Sequence, residues 1–217
     1  MKQIVSLSGG KDSTAMLLMM LEKGEQIDNI VFFDWGMEFP QMYEHLEKLE
    51  DYIKRPITRL YPKHSWDYYM FDHIHTRGKR KGEAGNGWGW GKSPWCTREK
   101  TNAFRSYQRD ATSVCIGFTY SERFRRPTYK YNQRYPLLEW GVTSQEALNY
   151  CYLHGFFFGE LYKWFKSVSC WCCPLKSYYE LQALRDNFPD LWQKLLDMDI
   201  KSPYPHPKAH LLKELRS

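Results

Sequence analysis

A short apolar run, Ile4-Val5-Ser6-Leu7, leads straight into Ser8-Gly9-Gly10-Lys11-Asp12-Ser13, and apolar residues then recur at helical spacing at Ala15, Leu17, Leu18 and Leu21. A strand that breaks at a glycine pair and restarts as a helix is the opening unit of an α/β domain, which constrains the fold more than any other segment. The same segment is built to receive a phosphate. Paired glycines let backbone N–H groups approach an anion, Lys11 adds positive charge, and the helix N-terminus points at the ligand. A nucleotide is the expected occupant, held by Ser8, Gly9, Gly10, Lys11, Asp12 and Ser13. The plain alternative is a glycine turn before an ordinary helix.

Two common nucleotide motifs are excluded by spacing. A Walker loop needs G-x-x-x-x-G-K-[ST], but Lys11 is followed by Asp12 and no glycine stands at the earlier position. The dinucleotide fingerprint G-x-G-x-x-G is absent as well.

Residues 2–7, 29–33, 57–61 and 113–118 read as short strands, and helical periodicity fills 13–24 and 40–54. Alternating strand and helix predicts a doubly wound, mostly parallel sheet, so ligands are expected beyond the strand ends at Ser8–Ser13, Asp34–Glu38 and Gly117–Arg126. Residues 62–95 form a long irregular insert in which Gly82, Gly85, Gly87, Gly89 and Gly91 alternate with Trp88 and Trp90, a composition that suits a lid better than a solvated linker. Further helices are expected over 97–109, after the capping box Thr143-Ser144-Gln145-Glu146, over 175–187, and from Pro189 through 198. These elements divide the chain into a nucleotide-binding α/β core at 1–140, with the insert inside it, and a helical lobe at 141–217 that carries a cysteine cluster.

The 217 residues can bury a core without cross-links, so the six cysteines are not needed as staples. No signal-peptide pattern and no run of ~20 apolar residues is present, and the expected location is the cytoplasm, with reduced thiols and no membrane. The net charge of +6 is unevenly placed, with Arg77, Lys79, Arg80 and Lys81 in one cluster and Arg123, Arg125 and Arg126 in another. With 17% aromatic residues, rings interleaved with arginine suit nucleic acid, although two solvated loops around a small polyphosphate are the alternative.

Cys170-Trp171-Cys172-Cys173-Pro174 places three thiols within four residues, and Cys96 adds a fourth. If the fold brings Cys96 beside the cluster, four thiolates suit Zn2+ or a [4Fe-4S] cluster, and the spacing does not choose between them. Packing as small apolar groups and a redox dithiol of Cys170 and Cys173 remain alternatives. Cys115 and Cys151 read as core.

The S-G-G-x-D-S run resembles the signature of the PP-loop superfamily, whose members bind ATP or a related adenylate. Phe33-Asp34-Trp35-Gly36-Met37-Glu38-Phe39-Pro40, Trp95-Cys96-Thr97-Arg98-Glu99-Lys100, Ile116-Gly117-Phe118 with Ser121-Glu122-Arg123 and Arg125-Arg126, Tyr135-Pro136-Leu137-Leu138-Glu139-Trp140 and the C-x-x-C-P at Cys170–Pro174 resemble segments of its phosphoadenosine phosphosulfate (PAPS) reductase family. The resemblance spans nearly the whole chain and is greatest to compact members from phages and DNA-sulfur-modification systems. It implies an adenine nucleotide alpha hydrolase-like fold and adds Asp34, Gly36, Gly117, Arg123 and Arg126 to the nucleotide site, with Lys11, Asp12 and Arg98 as catalytic residues. Sulfonucleotide reductases carry a C-terminal E-C-G-I/L-H motif, whereas no cysteine follows Cys173 here. Reduction of PAPS is therefore expected only if a Cys170 or Cys173 thiol substitutes as the nucleophile. The expected chemistry is activation of an acceptor by ATP and Mg2+ with pyrophosphate release, coupled to sulfur transfer through the cysteine site. The alternative is a nucleotide hydrolase or nucleic-acid-binding sensor with structural zinc. Expected partners are an adenine nucleotide, a nucleic-acid acceptor, and a second copy of the chain or a sulfur-donor protein.

Overall fold

The computed structural model describes residues 2–92, 94–125, 132–168 and 170–216. Its elements run β1 (Gln3–Leu7), α1 (Lys11–Glu22), β2 (Asn29–Phe33), α2 (Pro40–Ile53), β3 (Thr58–Leu60), α3 (Trp95–Tyr107), β4 (Ser113–Ile116), β5 (Gln133–Arg134), α4 (Pro136–Glu139), α5 (Ser144–Leu153), α6 (Tyr178–Asn187), α7 (Pro189–Lys201) and α8 (Ala209–Arg216). The strands form one sheet in the order β3-β2-β1-β4-β5, and every pairing is parallel. Strand order reverses between β1 and β4, so the crevice beyond their carboxyl ends is the switch point of the doubly wound sheet.

The reason these segments are strands is visible in their burial. Ile4, Val5 and Leu7 are fully buried, as are Ile30, Val31, Phe32 and Phe33 within a few per cent, and a strand covered on both faces reads as a continuous apolar run. Two strands end earlier than their apolar runs. The Phe118 N–H turns back to the Ile116 carbonyl at 2.8 Å, which closes β4 before Gly117, and β3 pairs with β2 only as far as Leu60, whose carbonyl takes the Asp34 N–H. β5 was not expected, because two residues, Gln133 and Arg134, carry no periodicity to read.

The helix boundaries follow their local chemistry. Thr143 and Glu146 form a reciprocal capping box at α5, Ser177 and Glu180 form another at α6, and Pro40 and Pro189 open α2 and α7. α1 differs from a surface helix. Lys11, Ser13 to Leu18 and Met20 are all buried, because it packs against β1 on one side and α5 on another.

The chain divides into two compact units, Met1–Asp34, Phe39–Tyr61 and Ala103–Leu161 in the first, and Trp35–Glu38, Pro62–Asn102 and Tyr162–Ser217 in the second. The first contains the sheet. In the second, the insert joins the C-terminal helices, and it is not structureless. Tyr68–Asp72 makes a π-helical turn, and an antiparallel bridge pairs Ile74 with Ala84. Trp88 is buried, donates its indole N–H to Asp199 at 3.2 Å and meets the His206 ring edge-on, whereas Trp90 is half exposed. No helix among the described residues is long and apolar enough to cross a membrane.

Candidate functional site

The loop after β1 is held open by its own side chains. Ser8 N–H donates to Ser13 Oγ at 3.1 Å, the two hydroxyls lie 2.9 Å apart, and Ser13 Oγ donates to the Gly10 carbonyl at 3.1 Å. Gly9 takes φ +80°, which a side chain would resist, and a Cβ there would meet Met42 at 3.1 Å. Gly10 caps α1 without a side-chain acceptor, so the first N–H groups of the helix are presented to whatever lies over the loop. Beneath it, Thr14 Oγ1 donates to the Gly9 carbonyl at 3.3 Å and is 3.1 Å from Nε2 of the buried His45.

Lys11 and Asp12, at the helix start, are not open surface residues. Lys11 is 8% exposed and Asp12 half-buried. Lys11 Nζ donates to both Asp12 oxygens at 2.8 Å and to Ser144 Oγ at 2.5 Å, and Ser144 Oγ lies 3.3 Å from Asp12 Oδ1. Burial pushes the Asp12 carboxyl up, and Lys11 opposes it. Ser144, the first residue of α5, is itself held by its N–H to Ser121 Oγ at 3.1 Å.

Gly117 stands at the end of β4, beside this loop. A Cβ there would lie 2.7 Å from Ser13 Cα and 2.8 Å from Ser13 N, a distance that only a glycine tolerates against backbone. Asp34, at the end of β2, is 8% exposed and accepts the Tyr43 hydroxyl at 2.9 Å. Arg123 is exposed, with its guanidinium 4.6 Å from the Tyr120 ring and 4.2 Å from that of Phe124. Arg126 lies outside the described residues. Thus Ser8–Ser13, Asp34, Gly117 and Arg123 share the first unit, while Gly36, Arg98 and the four candidate metal-binding cysteines fall in the second.

In the second unit, Cys96 sits in the first turn of α3, and the Trp35 indole donates to its carbonyl at 3.2 Å. Trp35 also meets Trp66, Tyr69 and Trp95 edge-on at 5.3 to 5.7 Å, an aromatic cluster beside the start of α3. Cys170–Cys173 form a tight turn, closed by the Cys173 N–H on the Cys170 carbonyl at 3.0 Å and tied to Met37 by the Trp171 N–H. Cys170 Sγ points at Glu38 Oε1 at 3.8 Å.

The phosphoadenosine phosphosulfate reductase domain matches residues 2–176. The chain belongs to that family. Among curated relatives, it is 28% identical over 207 residues to the uncharacterized protein MJ0066 of Methanocaldococcus jannaschii, covering 88% of this chain and 40% of the relative. It is 24% identical over 207 residues to the uncharacterized protein MJ0973 of the same organism, covering 89% of this chain and 46% of the relative. The chain therefore spans less than half the length of both. Among solved structures, the U34-tRNA thiolase NcsA from Methanococcus maripaludis, with its [4Fe-4S] cluster, superposes at a TM-score of 0.45 and 15% identity, covering 100% of this chain and 72% of that one. At that level nothing of its chemistry transfers.

In this PAPS reductase-family chain the thiols feel one another. Burial pushes Cys96, Cys170 and Cys172 up, and neighbouring thiols add to the shift, Cys173 on Cys96, and Cys172, Cys173 and Cys96 on Cys170 after Glu38. Among the described residues, no group of three or more His, Cys, Asp or Glu side chains is gathered in metal-binding geometry. Four thiols from two segments of one unit are the soft donors that a thiophilic metal takes. Cys115 and Cys151 are fully buried, and Cys151 donates to the Lys11 carbonyl at 3.3 Å.

Three residues escaped sequence reasoning. Ser121 was read only as part of a family-like segment and Ser144 only as part of the capping box, and neither was given a role at the loop. Lys176 is buried with its ammonium 4.4 Å from the centre of the Phe165 ring, and burial lowers its pKa while Cys173 and Glu180 raise it. Only packing could have pointed to it.

Proposed function

We propose that this protein is an enzyme that binds ATP, or a related adenine nucleotide, over Ser8–Ser13 and activates an acceptor by adenylylation, feeding sulfur transfer through the cysteine site. The observation that carries the reading is the loop itself, an uncapped helix N-terminus at the switch point of a parallel sheet with Lys11, Asp12 and Ser144 clustered beside it.

The β and γ phosphates take the α1 N–H groups and the Lys11 ammonium, which exchanges its Asp12 contact for phosphate oxygens. Asp12, so released, is the carboxylate that would hold the Mg2+ accompanying the nucleotide, and Asp34 the second one, for the metal or the ribose. An acceptor oxygen attacks the α phosphorus, a new O–P bond forms, the bond to the bridging oxygen breaks, and pyrophosphate leaves. Charge developing on the leaving group is met by preorganised donors rather than by reorganising water. Gly117 keeps the loop backbone in register by direct contact, and Arg123 is the cation for the outer phosphates; Arg98, in the second unit, is a cation for the acceptor.

Cys96, Cys170, Cys172 and Cys173 are the residues that would hold a [4Fe-4S] cluster or Zn2+. When bound, an iron–sulfur centre supplies a thiophilic, redox-capable site, and zinc a structural one. Trp35, Trp66, Tyr69 and Trp95 pack as one aromatic cluster in the same unit, joined to α3 at the Cys96 carbonyl.

The test is product analysis. The full chain, ATP, Mg2+ and a broad set of single-stranded nucleic-acid acceptors should yield AMP and pyrophosphate. Binding of ATP with neither product formed removes adenylylation and leaves a nucleotide sensor. Metal content and absorption near 400 nm, roughly where iron–sulfur centres absorb, separate the two metals.

A further inference from the structure

The second unit contains a cavity of about 390 Å³ that the nucleotide site does not use. Its wall is the covalent neighbour of the cysteines. Trp171, buried between Cys170 and Cys172, lines it together with Met37 and Phe71. The rest of the lining is polar. Lys194, Asp197 and Lys201 lie on one face of α7 at helical spacing, and Asp67 lines the cavity with them.

This lining selects among ligands. A bare polyphosphate is disfavoured, because two carboxylates would repel it. An apolar ligand leaves four charges unused. A nucleotide unit within a strand satisfies both, since a ring stacks on Trp171, its N–H edge donates to carboxylate, and the flanking phosphates take lysine. The volume lies within the range of small-ligand pockets. A duplex cannot enter, because the base must leave its stack to reach the aromatic wall.

A second feature extends the cation track. The basic hairpin closed by the Ile74–Ala84 bridge carries exposed Arg77, Lys79 and Lys81. It is tied to the segment after α7, with the Arg80 guanidinium 4.1 Å from the centre of the Tyr204 ring and the Tyr204 hydroxyl donating to Glu83 at 2.5 Å. At its base Gly85 presses on the Phe71 carbonyl, where a Cβ would sit at 2.8 Å, so the hairpin adjoins the cavity wall.

We propose that this cavity is the acceptor subsite, taking one unstacked nucleotide of a single-stranded nucleic acid beside Cys170 and Cys172, with Lys194 and Lys201 on the flanking phosphates and Asp67 and Asp197 on the base edge. The proposal rests on the reading of the acceptor as a nucleic acid, and it is tested without ATP so that the two fail separately.

Fluorescence anisotropy of labelled single-stranded RNA, single-stranded DNA and duplex oligonucleotides, titrated with the full chain at several salt concentrations, reads the site directly. Lys194→Glu/Lys201→Glu should weaken single-strand binding tenfold or more, with a salt slope shallower by about 1.4, as expected for two lost phosphate contacts. Lys194→Gln/Lys201→Gln, with less charge change, should show the same slope at a smaller loss, and Lys213→Glu, on α8, should change neither. ATP affinity and thermal unfolding of each variant check that the fold is intact. Single-strand affinity and slope unchanged in both double variants overturn the proposal, and so does duplex binding as tight as single-strand binding. Oligonucleotide binding that depends on the lysines, with no AMP formed, overturns adenylylation and leaves the cavity standing. The RNA and DNA arms identify which strand it takes.

Discussion

In the first unit, the groups that would grip a nucleotide are mostly backbone, the N–H groups of α1 and the glycine pair before it, with Lys11 and Asp12 next to them in sequence. In the second, the chemistry rests on side chains drawn from three segments, Trp35–Glu38, Pro62–Asn102 and Tyr162–Ser217, that only folding brings together. A site made of consecutive backbone tolerates little change in conformation, whereas a site made of distant side chains tolerates little change in packing. The two should therefore break in different ways.

The largest effect is expected in the second unit. Cys170→Ser or Cys173→Ser should abolish stoichiometric metal, read by elemental analysis of the purified chain, while ATP affinity stays put. Undiminished metal in both variants ends the proposal of a cysteine-bound centre. In the first unit, Lys11→Ala should weaken ATP binding on the order of 10- to 100-fold, as for loss of a charge-assisted hydrogen bond. Because Lys11 is buried and pairs with Asp12, the same change should also lower stability by about 1–3 kcal/mol, measured by urea unfolding. A fully stable Lys11→Ala variant would show that the pair adds nothing to the fold.

Gly117→Ala tests the conformational half of the comparison. Its methyl meets the Ser13 backbone at 2.7 Å, so the loop must move, at a cost of about 1–3 kcal/mol and a loss of ATP affinity without any lost ligand contact. Normal ATP binding in this variant would mean that β4 does not hold the loop.

Acid sensitivity offers a probe in each unit. His45 in the first and His206 in the second are buried, and burial drops both to about 4. His206 Nδ1 accepts the Lys208 N–H at 3.0 Å, and His45 Nε2 sits against Thr14, so each ring is held neutral. Their neutral forms stabilise the native state fully above the unfolded value near 6.5, and that stability is lost as pH falls toward 4, on the order of 2–3 kcal/mol per ring at the limit. Urea midpoints measured from pH 7 to pH 4 should fall, and His45→Gln and His206→Gln should each flatten part of the slope. A slope untouched by either variant would place the acid sensitivity elsewhere. The smallest effect is reserved for Ser144→Ala, a few-fold loss of ATP affinity from one hydrogen bond on Lys11.

Much of the sheet was legible because a parallel strand buried on both faces is nearly continuously apolar, as Ile30–Phe33 is and Ile4–Leu7 is apart from Ser6. The capping box at Thr143 located α5 to the residue. What could not be read was where these ends point. Nothing in Ser144 announces that it meets a lysine 133 residues away, and Lys11 looks like a surface cation until α5 covers it. The insert looked irregular because its order comes from Trp88 and Gly85 packing on the chain around α7, and not from any local period.

The sequence by itself determined the strand–loop–helix that would receive a phosphate, since glycine conformations, helix dipole and one lysine act within six consecutive residues. Only the tertiary structure decided that Lys11 is buried against Asp12 and Ser144, that Gly117 abuts Ser13, and that Cys96 shares a unit with Cys170–Cys173 and a cavity lined by Trp171 and α7. Those are matters of long-range packing, and packing is a property of which surfaces meet, which no window of sequence contains.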